Sequence, residues 1–536
     1  MSPVKMEGDW CRRLSAIELG LALIAGLALM ALYFWQIFIT MPHLPVFSPD
    51  TPGWYQKDPY RGAAIYYFSQ SVLSLWNDFY AIAVVQGIAW GAVGALLGYS
   101  MVRATGSYLL GLAALAVCLF KVSLVVLTQE LASDSLFATA VVGLLAAALL
   151  LSDRPSPPRV ALFLLFGFAA SIGRSIGAVI LWSLVLGLAL RLWRNQRRAL
   201  GTIVAGCIGI YALSGSIGFI NYGFWGPHAQ VGLALICRAP FIAADSMSSS
   251  MPYLRKFVAA TAQARAEFEA VPSWAEKFAV YNRYNCNRSW EIGEATLVDG
   301  DRSFYQLGCF DRLIVLNDTF KRASFDVILR NPAGYFRISL MDLIIGGQML
   351  SSYGNYALDA YYIEEAERSI ARIRHYIDQY GRASQNARNG PLFIDDISTC
   401  ARPDLLMSLM VRHLDDWLNT PHVPKSDLAK PLRDLFGLVK SDTVNLMFIA
   451  ESVVVVILVA AAMLRGRQIG DFLLTLFLLV VSVWSYVVAI SLIILPMDRY
   501  TDSTSAFVYI ALIVGSWGFV SACLIGFQRW VKGFAV

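Results

Sequence analysis

The sequence predicts an all-α protein that crosses a membrane many times and carries one large water-soluble part. Of 536 residues, 57% are apolar and 15% are charged, with a mean hydropathy of +0.56, whereas soluble globular proteins are about 25% charged. Several apolar segments approach the roughly 20 residues that a membrane span needs. One mostly polar stretch, 219–442, separates two groups of these segments. This composition excludes an ordinary soluble enzyme, and a content of 13% aromatic residues excludes a disordered chain.

Ten apolar segments follow one another along the chain. They cover residues 15–40, 80–102, 107–127, 135–152, 160–172, 176–192, 199–218, 443–464, 471–495 and 506–527. The fifth is short, and the alternative is one long helix over 158–192. With ten spans and a cytoplasmic N-terminus, fourteen Lys and Arg residues of the short loops fall inside and four outside, as the positive-inside rule requires. We therefore predict ten spans with both termini in the cytoplasm.

The spans divide the chain into three parts. These are a seven-helix membrane module (1–218), a mainly helical external domain (219–442, called the insert below) and three closing spans (443–536). Two apolar stretches of the insert, 231–244 and 339–350, are too short to span a bilayer. Either they lie on the membrane surface or they are buried in the core of the insert.

Four cysteines fall in the insert, at Cys237, Cys286, Cys309 and Cys400. An oxidising compartment permits two disulfides among them, with three possible connectivities. The pairing we favour is Cys286–Cys309 with Cys237–Cys400, and the alternative is four buried thiols.

The first external loop carries an acidic residue, Asp50, between Pro49 and Thr51 in a rigid turn, and Tyr55 follows it. A carboxylate in such a loop suits catalysis by proton transfer. A cap for the next short helix is the alternative role.

Further charged residues fall at the external ends of other spans. Glu130 and Asp134 are spaced i, i+4 before the fourth span, and the alternative role of Asp134 is the N-cap of that helix. Arg174 lies alone in the turn between the fifth and sixth spans, and Arg499 precedes Tyr500 after the ninth. Two guanidinium groups at one end of a bundle suit an anion such as phosphate, although a single such Arg is more often interfacial.

In this order and on this side of the membrane, these residues resemble the GT-C superfamily of integral-membrane glycosyltransferases. The resemblance consists of Asp50 with Tyr55 in the first loop, the segment 134–138 opening the fourth helix, the turn 167–174, and Arg499 beginning a late helix. It covers the first 218 residues and the region 496–510, but not the insert. The turn departs from the family pattern because it lacks the Thr-Arg-Pro that many members have.

The resemblance implies an inverting transferase at the external face of a bacterial inner membrane. It would pass a sugar from a polyprenyl-phosphate donor to a cell-envelope glycan or lipid acceptor, through an oxocarbenium-like transition state. Asp50 would be the general base, and Arg499 and Arg174 would stabilise the departing phosphate. Tyr500 would join that donor site, and Tyr55 would contact the sugar or the acceptor. A divalent metal, Mg or Mn, held by Glu130 and Asp134, is possible in such enzymes.

Three other residues carry predictions of their own. Lys121 and Glu451 lie inside apolar segments, where charged residues usually face a partner or a cavity. They pair with each other, or Lys121 reaches the donor phosphate from beneath. His228, just after the seventh span, either contacts the acceptor or is a loop residue without a function.

Two other classes of function remain open. One is a transporter or flippase of a lipid-linked or anionic substrate, although the sequence shows no matched pair of broken helices. The other is a non-catalytic subunit of an envelope-assembly complex. The formal net charge of +5 gives no reason to expect a nucleic-acid partner, and membrane lipid is the partner that the composition predicts.

Overall fold

The structure is a computed structural model, and its described part is helical throughout. It describes residues 3–40, 45–48, 51, 58–60, 62–284, 286–298, 302–348, 367–378, 404–419, 428–437, 440–466, 469–493 and 498–534. Within these ranges it leaves out the side chains of 3–15, 194–195, 287, 302, 305, 309, 346–348, 404–407, 437, 498–503 and 525–534. The described part has no β-strand, and an isolated bridge joins Val46 to Glu130. The predicted all-α class is confirmed.

The membrane part consists of helices α1 to α9 and, after the insert, α23 to α25. The first group is α1 Pro3–Trp35, continued by a π-helical turn Gln36–Thr40, α2 Ala63–Leu75, α3 Phe79–Thr105, α4 Tyr108–Phe120, α5 Val122–Leu127, α6 Ser133–Asp153, α7 Pro157–Gly173, α8 Gly177–Asn195 and α9 Arg197–Tyr222. The second group is α23 Ser441–Leu464, α24 Asp471–Ile493 and α25 Asp498–Phe534.

The insert contains short helices followed by longer ones. They are α10 Val231–Leu235, α11 Ala239–Ile242, α12 Met247–Ser250, a 3-10 turn Pro252–Leu254, α13 Arg255–Ala260, α14 Ala262–Ala270, α15 Trp274–Tyr284, α16 Cys286–Leu297, α17 Arg302–Gln306, α18 Cys309–Arg330, α19 Pro332–Gln348, α20 over 367–378, α21 Asp404–Asn419 and α22 Lys430–Gly437.

Seven helical segments in the described part are long and apolar enough to cross a membrane. They are Ala16–Thr40, Phe79–Thr105, Ser133–Asp153, Arg197–Tyr222, Ser441–Leu464, Asp471–Ile493 and Thr504–Leu524. Three shorter apolar helices, α4, α7 and α8, occupy the positions of the other predicted spans. The chain is therefore a multi-pass membrane protein by the length and composition of its helices, and the number of crossings stays a prediction.

The helix is interrupted at Arg174, so that two short helices, α7 and α8, replace one long helix over 158–192. Arg174 is extended (φ −152°, ψ 141°), and α8 starts three residues later. Gly177 lies so close to the carbonyl of Ala170 that any Cβ at this position would clash with it. The close turn therefore requires a glycine, and the predicted interruption is confirmed.

The third apolar segment differs from the prediction because it is broken at Lys121. α4 ends at Phe120, Lys121 takes a ψ of 121°, and α5 begins at Val122. The segment contains no proline or glycine at this point, so the sequence alone predicts a continuous helix. The buried amine of Lys121 has hydroxyl partners at the break, described with the site below.

The first half of the insert has a hydrophobic core of its own. Leu233, Ile236, Phe241, Phe257 and Phe320 are among its buried side chains. The apolar stretch 231–244 is therefore buried in the insert, which decides between the two alternatives for that stretch.

The disulfide connectivity that we favoured is wrong. Cys237 is bonded to Cys286, with their Cα atoms 4.6 Å apart, so Cys286 cannot pair with Cys309 nor Cys237 with Cys400. The bond joins the end of α10 to the start of α16, because the two helices pack against each other in the insert core. Cys400 and the side chain of Cys309 lie outside the described residues.

Candidate functional site

The first loop, between α1 and α2, is fixed to the turn that precedes α6. The backbone N–H of Val46 donates to the carbonyl of Gln129 (2.8 Å), and the N–H of Leu131 donates back to the carbonyl of Val46 (3.0 Å). The hydroxyl of Thr51 donates to the carbonyl of Leu131 (2.9 Å). Because Thr51 directly follows Asp50, this bond fixes the chain beside the predicted base to the same turn.

Gln86 of α3 supports this turn from inside the bundle. Its side chain is buried, and with Nε2 facing the turn it donates to the carbonyls of Thr128 (3.1 Å) and Glu130 (3.2 Å). Buried backbone carbonyls outside regular hydrogen bonding need such partners. Gln86, a polar residue in an apolar helix, therefore satisfies the backbone carbonyls of the turn.

Asp134 and Arg174 form an ion pair at the same end of the bundle. Arg174 Nη2 lies 2.5 Å from Asp134 Oδ1, and their side chains are 16% and 2% exposed. Asp134 is on the first turn of α6, where the helix dipole favours a negative charge. The sequence placed these residues in separate roles, one toward a metal and one toward phosphate, and the structure joins them.

Aromatic rings form the wall behind this ion pair. The guanidinium of Arg174 lies 5.8 Å from the ring centroid of Phe137, and that ring stacks on Tyr486 of α24 at 5.9 Å. The apolar wall limits the access of water, so the pair is more strongly coupled than it would be at an exposed surface.

Lys121 lies at the helix break and is 1% exposed. Its Nζ donates to the hydroxyls of Ser123 (2.8 Å) and Ser505 (2.9 Å), and it lies 5.2 Å from the ring centroid of Tyr509. Ser505 is six residues after Arg499 on α25, which is about 9 Å along a helix. The amine is thus linked to the helix that begins with the predicted phosphate-binding Arg499.

Lys121 does not pair with Glu451, which was one of the two predicted possibilities. The carboxylate oxygens of Glu451 are buried without a hydrogen-bond partner among the described residues. The carboxylate instead lies against the backbone of Gly515 on α25, where a Cβ would clash with it. The two intramembrane charges therefore have separate surroundings.

Arg433 is a buried cation that our sequence analysis missed. It lies on α22 and is 5% exposed, and its Nη1 donates to the side-chain oxygen of Gln36 (2.8 Å). Phe436 of the same helix packs edge-on against Tyr509, the ring next to Lys121. The burial of Arg433 is not predictable from the sequence, because its helix has the pattern of an ordinary short amphipathic helix.

His228 supports the end of the first loop and is 6% exposed. Its imidazole packs against Gly62, whose φ of +88° and lack of a Cβ allow that close contact. The N–H of Ala229 also donates to the carbonyl of Pro59 (2.8 Å). This burial favours a structural role for His228 over contact with an acceptor.

The second half of the insert contacts the first loop from the opposite side. Arg372 Nη1 donates to the carbonyl of Phe47 (3.0 Å), and the N–H of Phe47 donates to the hydroxyl of Ser369 (3.3 Å). His413 Nε2 lies 2.8 Å from the carbonyl of Pro45. Two insert helices, α20 and α21, therefore fix the backbone of the segment that leads to Asp50.

His413 is buried between aromatic rings of Phe79 and Trp417. Burial lowers the pKa of His413 to about 4, because the charged imidazolium loses its hydration there. The imidazole is therefore neutral at physiological pH. In the tautomer with the proton on Nε2 it donates to the carbonyl of Pro45, and in the other tautomer Nε2 accepts from the indole N–H of Trp417 (3.0 Å).

Some predicted site residues lie outside the described part. These are Asp50 and Tyr55 and the side chains of Arg499 and Tyr500. Within the described part, no three His, Cys, Asp or Glu side chains converge in a way that would hold a metal ion.

No protein-family model matches this chain, and neither a curated protein nor a solved structure matches it.

Proposed function

We propose that this protein is a membrane glycosyltransferase that moves a sugar from a polyprenyl-phosphate donor to a cell-envelope glycan or lipid acceptor. The observation that carries the proposal is that the first loop, the turn 128–131 and the Asp134–Arg174 ion pair meet at one end of the helical bundle. The turn 128–131 contacts Val46 and Thr51 of the first loop, and the Asp134–Arg174 pair follows directly on α6. The same end is covered by the insert.

In the proposed reaction, Asp50 takes the proton of an acceptor hydroxyl. The acceptor oxygen then bonds to the anomeric carbon as the bond from that carbon to the phosphate oxygen breaks, with inversion. Polyprenyl phosphate leaves with its charge, so no general acid is required. General-base catalysis typically contributes about 10²–10⁴-fold, and cations near the departing phosphate supply the other large contribution.

The cations in this proposal have different surroundings. Lys121 is buried at the helix break, and Arg499 begins α25, to which Lys121 is bonded through Ser505. Arg174 is held in place by Asp134, and its side chain stays 16% exposed. We therefore assign the donor phosphate to Arg499 and Lys121, with Arg174 at its edge. Glu130 remains the candidate for a metal ligand if the reaction uses Mg or Mn.

The proposal includes the predicted orientation in a bacterial inner membrane. Ten crossings place the insert and all these residues outside and both termini in the cytoplasm. The proposal takes the seven long apolar helices and the three shorter ones of the described part as its ten crossings.

A transporter of a lipid-linked or anionic substrate is the second candidate. It is favoured by the broken helix at Lys121, because discontinuous helices with buried charges often form substrate sites in transporters. The position of the Asp134–Arg174 ion pair at one end of the bundle, and not at its middle, favours the transferase.

Sugar transfer in membranes tests the proposal. Membranes containing the wild type, Asp50→Asn or Asp245→Asn are supplied with a panel of radiolabelled polyprenyl-phosphate sugars. Asp245 is the matched control because its carboxylate is 90% exposed in the insert. We expect product from the wild type and from Asp245→Asn, and none from well-expressed Asp50→Asn. Equal product from all three would reject Asp50 as the base.

A further inference from the structure

Helix α19 of the insert has three faces with different neighbours. Ile338 and Met341 are buried in the insert core, and Leu343 packs against the core of the membrane bundle. A third face carries Phe336, 66% exposed, and Ile344, 44% exposed. Two large apolar side chains on one face are unusual for a helix in water.

The order of these faces around the helix places the exposed one beside the bundle. At about 100° per residue, Leu340 lies about 40° and Ile344 about 80° from Phe336. Leu343, which faces the bundle, lies about 20° to the other side of Phe336. The apolar stripe Phe336–Leu340–Ile344, in which Leu340 is half-buried, therefore continues the bundle-facing side of α19. Arg337 forms its polar edge, where it pairs with Glu269 of the insert.

The contacts of α19 also fix its level along the bundle. The hydroxyl of Tyr335 donates to the carbonyl of Leu492, next to the last residue of α24, which is one of the long apolar helices. The helix also packs against α23, whose Leu446 and Met447 are 69% and 48% exposed. The stripe thus lies where the apolar surface of α23 and α24 ends.

We propose that this stripe is a lipid-binding surface that lies in the interfacial layer of the bilayer. Amphipathic helices rest at this depth with their apolar face among the acyl chains. Phe325 and Leu329 of the preceding helix α18 are also exposed apolar side chains, at 44% and 75%. The insert is therefore attached to lipid as well as to the spanning helices, and this attachment is independent of the proposed transferase activity.

Lipid photolabelling of the unmodified protein tests the proposal. The protein is reconstituted in vesicles of phosphatidylethanolamine and phosphatidylglycerol with a trace of phospholipid that carries a carbene precursor near the glycerol, and adducts are mapped by mass spectrometry. Leu446 is the positive control, and Trp274, 39% exposed in the insert, is the negative control. We expect labelling of Phe336 and Ile344 within about threefold of Leu446 and about tenfold above Trp274.

Labelling of Leu446 together with no labelling of Phe336 and Ile344 above the level of Trp274 would overturn the proposal. A second comparison uses Phe336→Asp and Trp274→Asp. Only the former should reduce the labelling of the 325–344 peptides, because a charge in the stripe withdraws it from the acyl chains. Equal labelling of those peptides in both variants would also contradict the proposal.

Discussion

At the residue scale, the sequence predicts Asp134 and Arg174 as site residues but does not predict that they form an ion pair. The types and positions of the two residues mark them as candidates, since each is a charge beside an apolar segment. Their pairing depends on how the start of α6 meets the end of α7, and spacing along the chain does not contain that information. The side chain of Asp134 is 2% exposed, and Arg174 Nη2 is its ion-pair partner.

We expect Arg174→Met to destabilise the protein strongly. It leaves a buried carboxylate without its cation, which costs on the order of 3–5 kcal/mol. Adding Asp134→Asn to this variant should restore most of the lost stability. Thermal unfolding of the purified protein in detergent measures both effects. Arg103→Met is the matched control, since the Arg103–Asp153 pair has side chains 45% and 23% exposed, and its effect should be much smaller. A double variant as unstable as Arg174→Met alone would contradict this account.

The lowered pKa of His413 predicts that the contact between α21 and the first loop depends on pH. Its pKa is lowered from 6.5 to about 4 by burial, so between these pH values the unfolded chain binds a proton that the folded protein excludes. The contact is therefore fully stable above about pH 6.5 and weakens as the pH falls toward 4, by on the order of 3 kcal/mol in all.

Hydrogen exchange of α21 and of residues 45–48 at pH 7.5 and pH 5, corrected for intrinsic rates, measures this effect. His413→Phe should abolish the pH dependence, whereas His375→Phe, at an exposed position of α20, should retain it. Protection that is independent of pH in the wild type would show that His413 does not control the contact.

At the element scale, the sequence predicts where helices lie much better than where they break. Long apolar segments are recognised by their length. The turn at Arg174 is predicted because the fifth segment is short and because ten spans place most Lys and Arg residues of the short loops inside. The break at Lys121 has no local signal, because it is stabilised by Ser505, which is 384 residues away. The contact of Phe47 with Ser369, separated by 322 residues, is unpredictable for the same reason.

The helix break leads to a prediction for donor binding. Lys121→Met retains the length of the side chain and removes a buried charge, so we expect normal yield. The affinity for a radiolabelled polyprenyl phosphate should fall about 10–100-fold, which is the value of a hydrogen bond to a charged group. Glu451→Gln is the control, and its affinity should not change. Unchanged affinity in Lys121→Met would give Lys121 a structural role only, and so would failure of that variant to accumulate.

At the scale of the whole molecule, the insert has two differently organised halves, which the sequence does not predict. Its first half has a core and a disulfide of its own, and its second half, through α20 and α21, is built around Phe47 of the first loop. Four cysteines allow three pairings, and only their distances decide among them.

Loss of the Cys237–Cys286 bond should destabilise the insert. A closed loop with a sequence separation of 49 residues corresponds to at most about 4 kcal/mol of chain entropy. Cys237→Ser with Cys286→Ser should make the insert more sensitive to proteolysis, whereas Cys207→Ala, at a free thiol, should not. Peptide mapping without reductant checks the bond itself, and a Cys286–Cys309 peptide would contradict it.

The most direct test of the proposed transfer is the fate of the donor in proteoliposomes of the purified protein. A transferase breaks the bond between the sugar and the phosphate, so we predict release of polyprenyl phosphate when an acceptor is present on the side of the insert. Asp50→Asn should slow this release about 10²–10⁴-fold. Movement of the intact lipid-linked sugar to the other leaflet, with no polyprenyl phosphate released, would contradict the account and identify a transporter.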